Sequence, residues 1–366
     1  MQMDRAWLGV QCLSNIGSIC SLESPGVSGR NTKKYNIVKE RDKLPSFPLY
    51  VCVRLVLFLF RHLPRVVGSK VLDFLASATY YLDARHRHIA SVNLRIAFPE
   101  LSSRERHWIA RRSFQITAQN LLEVSRLTSL SKHNISSLVE YDREAGLNNF
   151  RAAAASGKPI LYLTGHFSAW ELLPTAHALF GHPLSFVSRP LDSPTLEKYL
   201  VRLRQVAGNT VISKKNSSRQ ILKTLKAAGS VGILMDQNTD PNEGVFADFF
   251  GLPAATTTGV ALFALRTDAT VLPGYLTPMH HGRYWIKFLP PLELIRTGDR
   301  ARDILENTRL FNRVLEAIVR EQPESWLWGH KRWKCQPSGG PQDLYMLPAP
   351  ELEAFLRENQ HRASSG

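Results

Sequence analysis

The sequence predicts an α/β fold: a mixed, largely parallel sheet flanked by helices, with an N-terminal membrane-associated helical segment. Three observations lead there. From residue 156 onward, short apolar runs alternate with amphipathic ones, the texture of strand–helix–strand units. Residues 47–82 carry a dense apolar run cut by arginines. The chain has 366 residues, 44% of them hydrophobic and 21% charged, which is enough apolar material for a large core and too little charge for a disordered chain.

Read in order, residues 1–46 mix Ser, Gly and Asn with scattered charge and show no period, so they read as a poorly ordered extension or an upstream start. MQMDRAWLGVQCLSNIGSIC makes a poor secretory leader, because Asp4 opposes a basic start and Gln11, Ser14 and Asn15 interrupt the apolar run. Residues 47–82 come next as the membrane-associated segment. Their apolar stretch is shorter than the roughly 20 residues of a spanning helix, Arg54 interrupts it, and Pro64 breaks or turns it. With Arg61 and Arg65 nearby, the segment reads as a helix lying in the membrane interface or crossing shallowly, its arginines reaching phosphates. The alternative is a buried amphipathic helix.

Residues 83–335 form the expected catalytic domain. ARHRHIASVNLRIA has apolar positions near helical spacing and stops at Phe98-Pro99, after which Ser102 or Ser103 can cap a long amphipathic helix. Strands are expected at KPILYLT, PLSFVS, NTVIS, SVGILMD, ATVLPGYLTP and RYWIKFLPP, with helices at LEKYLVRLRQVAG, SRQILKTLKAAG, TTTGVALFALRTD and 299–321. Residues 336–366 read as a linker and a short charged helix. The four cysteines make no CxxC pair, which argues for a reducing compartment and against a disulfide scaffold or zinc site. A surplus of 46 Lys and Arg over 31 Asp and Glu, net +15, suits an anionic partner: nucleic acid, an anionic membrane or an acidic carrier protein.

Chemistry is expected where strands end, because sites in such sheets collect at the carboxyl edge. GHFSAWE follows the strand at 160–163, with Gly165 supplying a tight turn ahead of His166. Inside one helix, His166 and Glu171 would stand about 140° apart and could not meet. If the helix starts after His166, Glu171 lies about one turn in and can reach back to the ring. A neutral imidazole so held can take a proton from an attacking hydroxyl. The nearby helix start would offer N–H groups to an anion. The alternative is a capping histidine beside a surface glutamate. HFSAWE is not HExxH, and Ser168 lacks a GxSxG elbow, so neither a metallohydrolase nor a serine nucleophile is expected.

Other strand ends add polar groups. Arg189 follows LSFVS and suits bidentate phosphate binding. Asp236, Gln237 and Asn238 follow SVGILM. EGVFADFFG suits the lining of a lipid pocket. PESWLWGHKRWK interleaves tryptophans with His330, Lys331, Arg332 and Lys334, a pattern that fits a membrane interface, nucleic acid or a core edge; no DNA- or RNA-binding motif accompanies it.

Taken together and in this order, GHFSAWE, VSRPLD, LMDQN, GVFADFFGLPAATTTGVALFALRT, VLPGY and PESWLWGHKRWK resemble the bacterial lipid A biosynthesis acyltransferase family, the late or secondary, lauroyl- and myristoyl-type transferases. VNLRIAFPELSSRERHWIARRSF resembles it too. The likeness spans about 47–335. It implies a glycerolipid-acyltransferase-like fold, bound to the cytoplasmic face of the bacterial inner membrane. The implied reaction moves an acyl chain from acyl-carrier-protein thioester, or acyl-CoA, to a hydroxyl of a phosphorylated glycolipid, with no metal or organic cofactor and no nucleic acid partner. The family's catalytic H-x4-D/E pair maps onto His166 and Glu171; Arg189, Asp236, Gln237 and Arg332 are carried over as substrate-binding residues. Where the family motif reads closer to HFGNWE, this chain has Ser168 and Ala169. Another lipid acceptor, or ester hydrolysis by the same dyad, remains open at this point.

Overall fold

In the computed structural model the described residues are 46–364, apart from 145, 215, 216, 339 and 342. The expected extension at the N-terminus lies outside them, save for Ser46. Pro64 does divide the apolar segment. α1 (Ser46–His62) ends just before it and α2 (Arg65–Leu82) starts just after, since proline cannot continue the first helix's hydrogen bonds but is tolerated ahead of the second. Both helices pack one edge on α4 (Ser103–Arg126), burying Leu57, Phe60, Leu72 and Ala76. Their other side leaves Phe47, Leu55, Phe58, Leu59, Val66, Phe74 and Leu82 exposed. No helix among the described residues is long and apolar enough to cross a membrane. The basic side chains here turn toward protein: Arg54 lies over the rings of Tyr50 and Tyr199, Arg61 donates to Thr128 Oγ1 at 2.7 Å, and Arg65 pairs with Glu123 at 2.5 Å.

α3 (Ala84–Ala97) stops at Phe98, ahead of Pro99. Ser102 caps α4 in a reciprocal capping box with Glu105, satisfying two N–H groups that a helix start leaves open. The α/β region then builds a seven-stranded sheet. Its members are β1 (Val139–Tyr141), β2 (Ile160–Thr164), β3 (Ser185–Ser188), β4 (Thr210–Ser213), β5 (Ser230–Leu234), β8 (Thr270–Pro278) and β9 (Tyr284–Phe288). The order is β1-β9-β8-β2-β5-β3-β4, parallel throughout except between β8 and β9. β2 therefore sits centrally, hydrogen-bonded to β5 on one side and β8 on the other.

Alternation along β2 feeds two cores. Leu161 and Leu163 face α3, α9 (Gly259–Thr267) and α10 (Arg300–Glu321), whereas Ile160 and Tyr162 face α5 (Gly146–Ala155), α6 (Leu172–Leu179) and α7 (Pro194–Arg204). α8 (Ser217–Lys226) and α11 (Ala349–Ser364) complete the first layer, the latter through Leu352 and Leu356.

Three readings need correction here. The aromatic rings of EGVFADFFG do not line a lipid pocket. The stretch forms β6 (Gly244–Phe249), paired antiparallel with β7 (Leu252–Thr257), with Phe249 and Phe250 buried and Phe246 half-buried. Trp326, Trp328 and Trp333 are likewise fully buried, so they make a core and no interfacial belt. Arg332, expected at substrate, is 0% exposed. Its guanidinium lies 4.9 Å from the Phe249 ring and donates to Ala255 O at 2.9 Å and Thr256 Oγ1 at 2.7 Å. Burial pushes its pKa down to about 10, against the pull of Asp236. Arg332 thus ties the hairpin to the core, with further bonds to Gln237 O and Asn312 Oδ1. Replacing Arg332 with Ala removes these four hydrogen bonds and should cost about 3 kcal/mol, read as a lowered urea midpoint.

Candidate active site

β2 and β5 run side by side in register to Thr164 and Leu234, and Met235 N–H extends the ladder to Thr164 O at 3.1 Å. Just past these ends His166 and Asp236 meet. The imidazole Nδ1 lies 2.9 Å from Asp236 Oδ1, and the His166 backbone N–H donates to Asp236 Oδ2, also at 2.9 Å. Gly165 is what permits this approach: a Cβ there would fall 2.9 Å from Asp236 Cγ and 2.7 Å from the Phe167 ring.

The loop bearing His166 is held from two more directions. Segment 325–327 pairs with it through Ser168 N to Ser325 O at 2.8 Å and Leu327 N to His166 O at 3.2 Å. On α4, Ser113 donates to Trp326 O at 2.5 Å and Asn120 donates to Ser168 O at 2.8 Å. Ser168, where the family motif has glycine, takes a left-handed φ of 49°. That conformation costs a non-glycine residue roughly 1–2 kcal/mol and persists because its own N–H and C=O are both pinned.

Asp236 is 1% exposed and collects a third donor, Trp326 Nε1 at 2.8 Å. Burial works to raise its pKa, yet the facing His166 and these hydrogen bonds outweigh it and hold the carboxyl well below its usual range. An ionised carboxylate only accepts, so Nδ1 carries the proton in that bond and Nε2 is the nitrogen left on the cavity side. Nε2 points into a cavity of about 400 Å³, where Gln237 Nε2 lies 3.4 Å away.

The acid hydrogen-bonded to the ring is thus Asp236, expected at substrate, and not Glu171, expected to orient it. The physical reason is where the helix begins. α6 starts only at Leu172, so Glu171 is its N-cap residue and not a turn inside. Its carboxylate forms a bidentate pair with Arg204 of α7, at 2.9 Å from Nε and 2.5 Å from Nη2. Burial raises the Glu171 pKa, but Arg204 lowers it further. The expected anion-binding helix start is also partly used, since Glu171 N and Leu172 N donate to Asn120 Oδ1 and Ala169 O.

Both Glu171 and Arg204 line the cavity, as do Gln237 and Arg189; Arg332 does not. Tyr162, Leu173, Leu184, Phe186, Ile233 and Phe288 give it apolar walls, and Lys214, Lys331 and Lys334 add cations. A pocket of this volume, apolar with a few convergent polar groups, has the make-up of a small-ligand site. Sequence reading missed Arg204, and met Trp326 and His330 only as members of the 323–334 cluster. His330 accepts from Asn238 N at 2.9 Å on the cavity wall, and burial drops its pKa to about 3, leaving it neutral. The clustered cations and tryptophans around 323–334 were the one available signal.

The sequence pattern described as bacterial lipid A biosynthesis acyltransferase matches residues 38–335. The chain belongs to this family. Like its fellow acyltransferases it is an O-acyltransferase of lipid A biosynthesis. It is 27% identical over 290 residues to the lipid A biosynthesis lauroyltransferase of Escherichia coli (strain K12), covering 78% of this chain and 91% of that protein. It is 24% identical to a lipid A biosynthesis acyltransferase of Haemophilus influenzae (71% and 79% covered) and 23% identical to the E. coli myristoyltransferase (71% and 80%).

The depressed Asp236 pKa makes a stability prediction. Its contribution is complete above the ordinary value of 3.8 and is lost as pH falls below that, toward the lower folded value. Denaturant titrations between pH 2 and 7 should therefore show a larger acid-limb loss, beginning near pH 4, in wild type than in Asp236→Asn.

Proposed function

We propose that this acyltransferase moves a fatty acyl chain from acyl-carrier-protein thioester to a hydroxyl of a lipid A precursor, with His166 as general base. The observation that carries the reading is the imidazole fixed on Asp236 with its free Nε2 opening onto an apolar-walled cavity. The acceptor hydroxyl gives its proton to Nε2 while its oxygen attacks the thioester carbonyl. The tetrahedral oxyanion collapses, the C–S bond breaks, and the thiolate takes the proton back from the imidazolium. Asp236 holds the tautomer before the transfer and offsets the charge of the ring during it.

Gln237, beside Nε2, is placed to donate to an oxygen reacting there. Glu171 works through Arg204, anchoring a guanidinium in the cavity wall next to Ser188, whose Oγ accepts from Arg204 at 2.9 Å. Arg189, Lys214, Lys331 and Lys334 make the cavity's cationic part, suited to substrate phosphates and to an acidic carrier protein. The apolar outer side of α1 and α2 rests on the cytoplasmic face of the inner membrane, which brings the cavity to a lipid acceptor.

With purified protein, acyl-carrier-protein thioester and lipid A precursor, product mass spectrometry tests these roles. His166→Ala should abolish transfer. Asp236→Asn should lower kcat by about 10²–10⁴-fold with KM little changed, since it acts on proton transfer. Glu171→Gln should reduce transfer while leaving the ring in place, and wild-type activity from His166→Ala would sink the scheme.

A further inference from the structure

A second cavity, of about 230 Å³, lies at the elbow between α1 and α2, away from His166. Arg65, Arg126, Arg283 and His281 line it, and none of its lining residues is acidic. Arg65 opens α2 and pairs with buried Glu123, which also accepts from Tyr284 OH at 3.0 Å. Arg283 lies 3.5 Å from Glu140. Arg126 reaches only carbonyls, Phe60 O at 3.0 Å and Leu63 O. The Nε groups of both Arg126 and Arg283 are buried without a hydrogen-bond partner, a state that polar groups rarely keep unless something else satisfies them. Glu123 and Glu140 thus answer two of the three guanidiniums. Burial and then the neighbouring Arg65 charge lower the Arg126 pKa, with Glu123 pulling it the other way.

The third wall is the β8–β9 turn. His281 there holds a left-handed φ of 62° and Gly282 one of 71°, and a Cβ on Gly282 would sit 3.8 Å from Arg65 Cδ. Strain in a non-glycine residue at a cationic pocket is the kind of cost that binding sites retain. Val66 and Val67, which follow Arg65 in α2, and Leu59 near the end of α1 are exposed, so the Arg65 wall of the pocket adjoins exposed apolar side chains.

We propose that this elbow is a second anion site, separate from the catalytic cavity, that takes the phosphate of an anionic membrane lipid. The lipid source rests on the membrane-facing role given above to α1 and α2; a free phosphate would share the guanidinium chemistry but would gain nothing from the apolar rim. Paired arginines suit the charge and geometry of such a group, and a lipid phosphate held there would fix the depth and tilt of the enzyme on the bilayer.

Sedimentation with phosphatidylcholine vesicles, with or without phosphatidylglycerol, tests this on the full chain. Wild type should prefer the anionic vesicles, and Arg283→Gln and Arg126→Gln should each cut that preference by about five-fold while binding to neutral vesicles and the melting curve hold. Arg283→Lys should fall too, because an ammonium cannot supply the fork. Arg283 bonds only at the surface, to Ser136 O and Glu140, so its variants carry the test should Arg126→Gln fail to fold. The proposal is overturned if wild type shows no anionic preference, if Arg283→Lys binds like wild type, or if millimolar inorganic phosphate displaces the protein from vesicles. His166→Ala should bind as wild type does, which keeps a failure of the catalytic scheme distinct from a failure of this site.

Discussion

The carboxylate of Asp236 is the constraint on which the rest depends. It takes the backbone N–H and ring N–H of His166 and the indole N–H of Trp326, joining the ends of two neighbouring strands to a segment some ninety residues further on. A bare carboxylate this deeply buried would be prohibitive, whereas three donors make it tolerable. The same three bonds fix the tautomer of His166, the path of the loop that bears it, and the seating of the tryptophan core. Chemistry and stability therefore rest on one group here, which is why its loss acts on both.

Much of this fold was legible in the sequence because its signals are local. A short apolar run marked β2, Pro64 marked the break between two helices, and Ser102 or Ser103 marked the start of a later one. A histidine at a strand end also stood out. Its partner did not. Glu171 lies five residues from His166 and Asp236 lies seventy, so spacing favoured the nearer acid; only the strand order, which seats β5 beside β2, brings the farther one to the ring. The pinned left-handed Ser168 then delays the helix and turns Glu171 elsewhere. Arg332 was misread for a related reason. Cations among tryptophans look alike on a surface and in a core, and the acceptors that bury this one come from β7, some eighty residues earlier.

The molecule divides its cationic and apolar surfaces by task. Cations at the catalytic cavity stand among apolar walls deep enough to take a chain, while those at the elbow border the exposed side of α1 and α2. The net +15 is thus concentrated in part at two places that both meet phosphate-bearing lipid in the proposed scheme. The tryptophans of segment 323–334 contribute to neither directly, and work by bracing the loop from behind.

Two acidic groups near one imidazole raise a problem of their own, and Arg204 answers it. A base must hold its lone pair until the acceptor arrives. Asp236 can face Nδ1 without spoiling this, because Nδ1 is the protonated nitrogen. A second bare carboxylate on the cavity side would favour a proton on Nε2 as well, leaving a cation that can accept nothing. Glu171 lies on that side, and its bidentate pairing with Arg204 offsets the charge that would do this. Burying both partners carries a desolvation cost that their bidentate pairing offsets, whereas removing Arg204 alone would strand a buried carboxylate in the cavity wall. Glutamate at this position is therefore compatible with general-base chemistry at His166 only with its arginine, and the two are best understood as one unit built across the start of α6 and the end of α7.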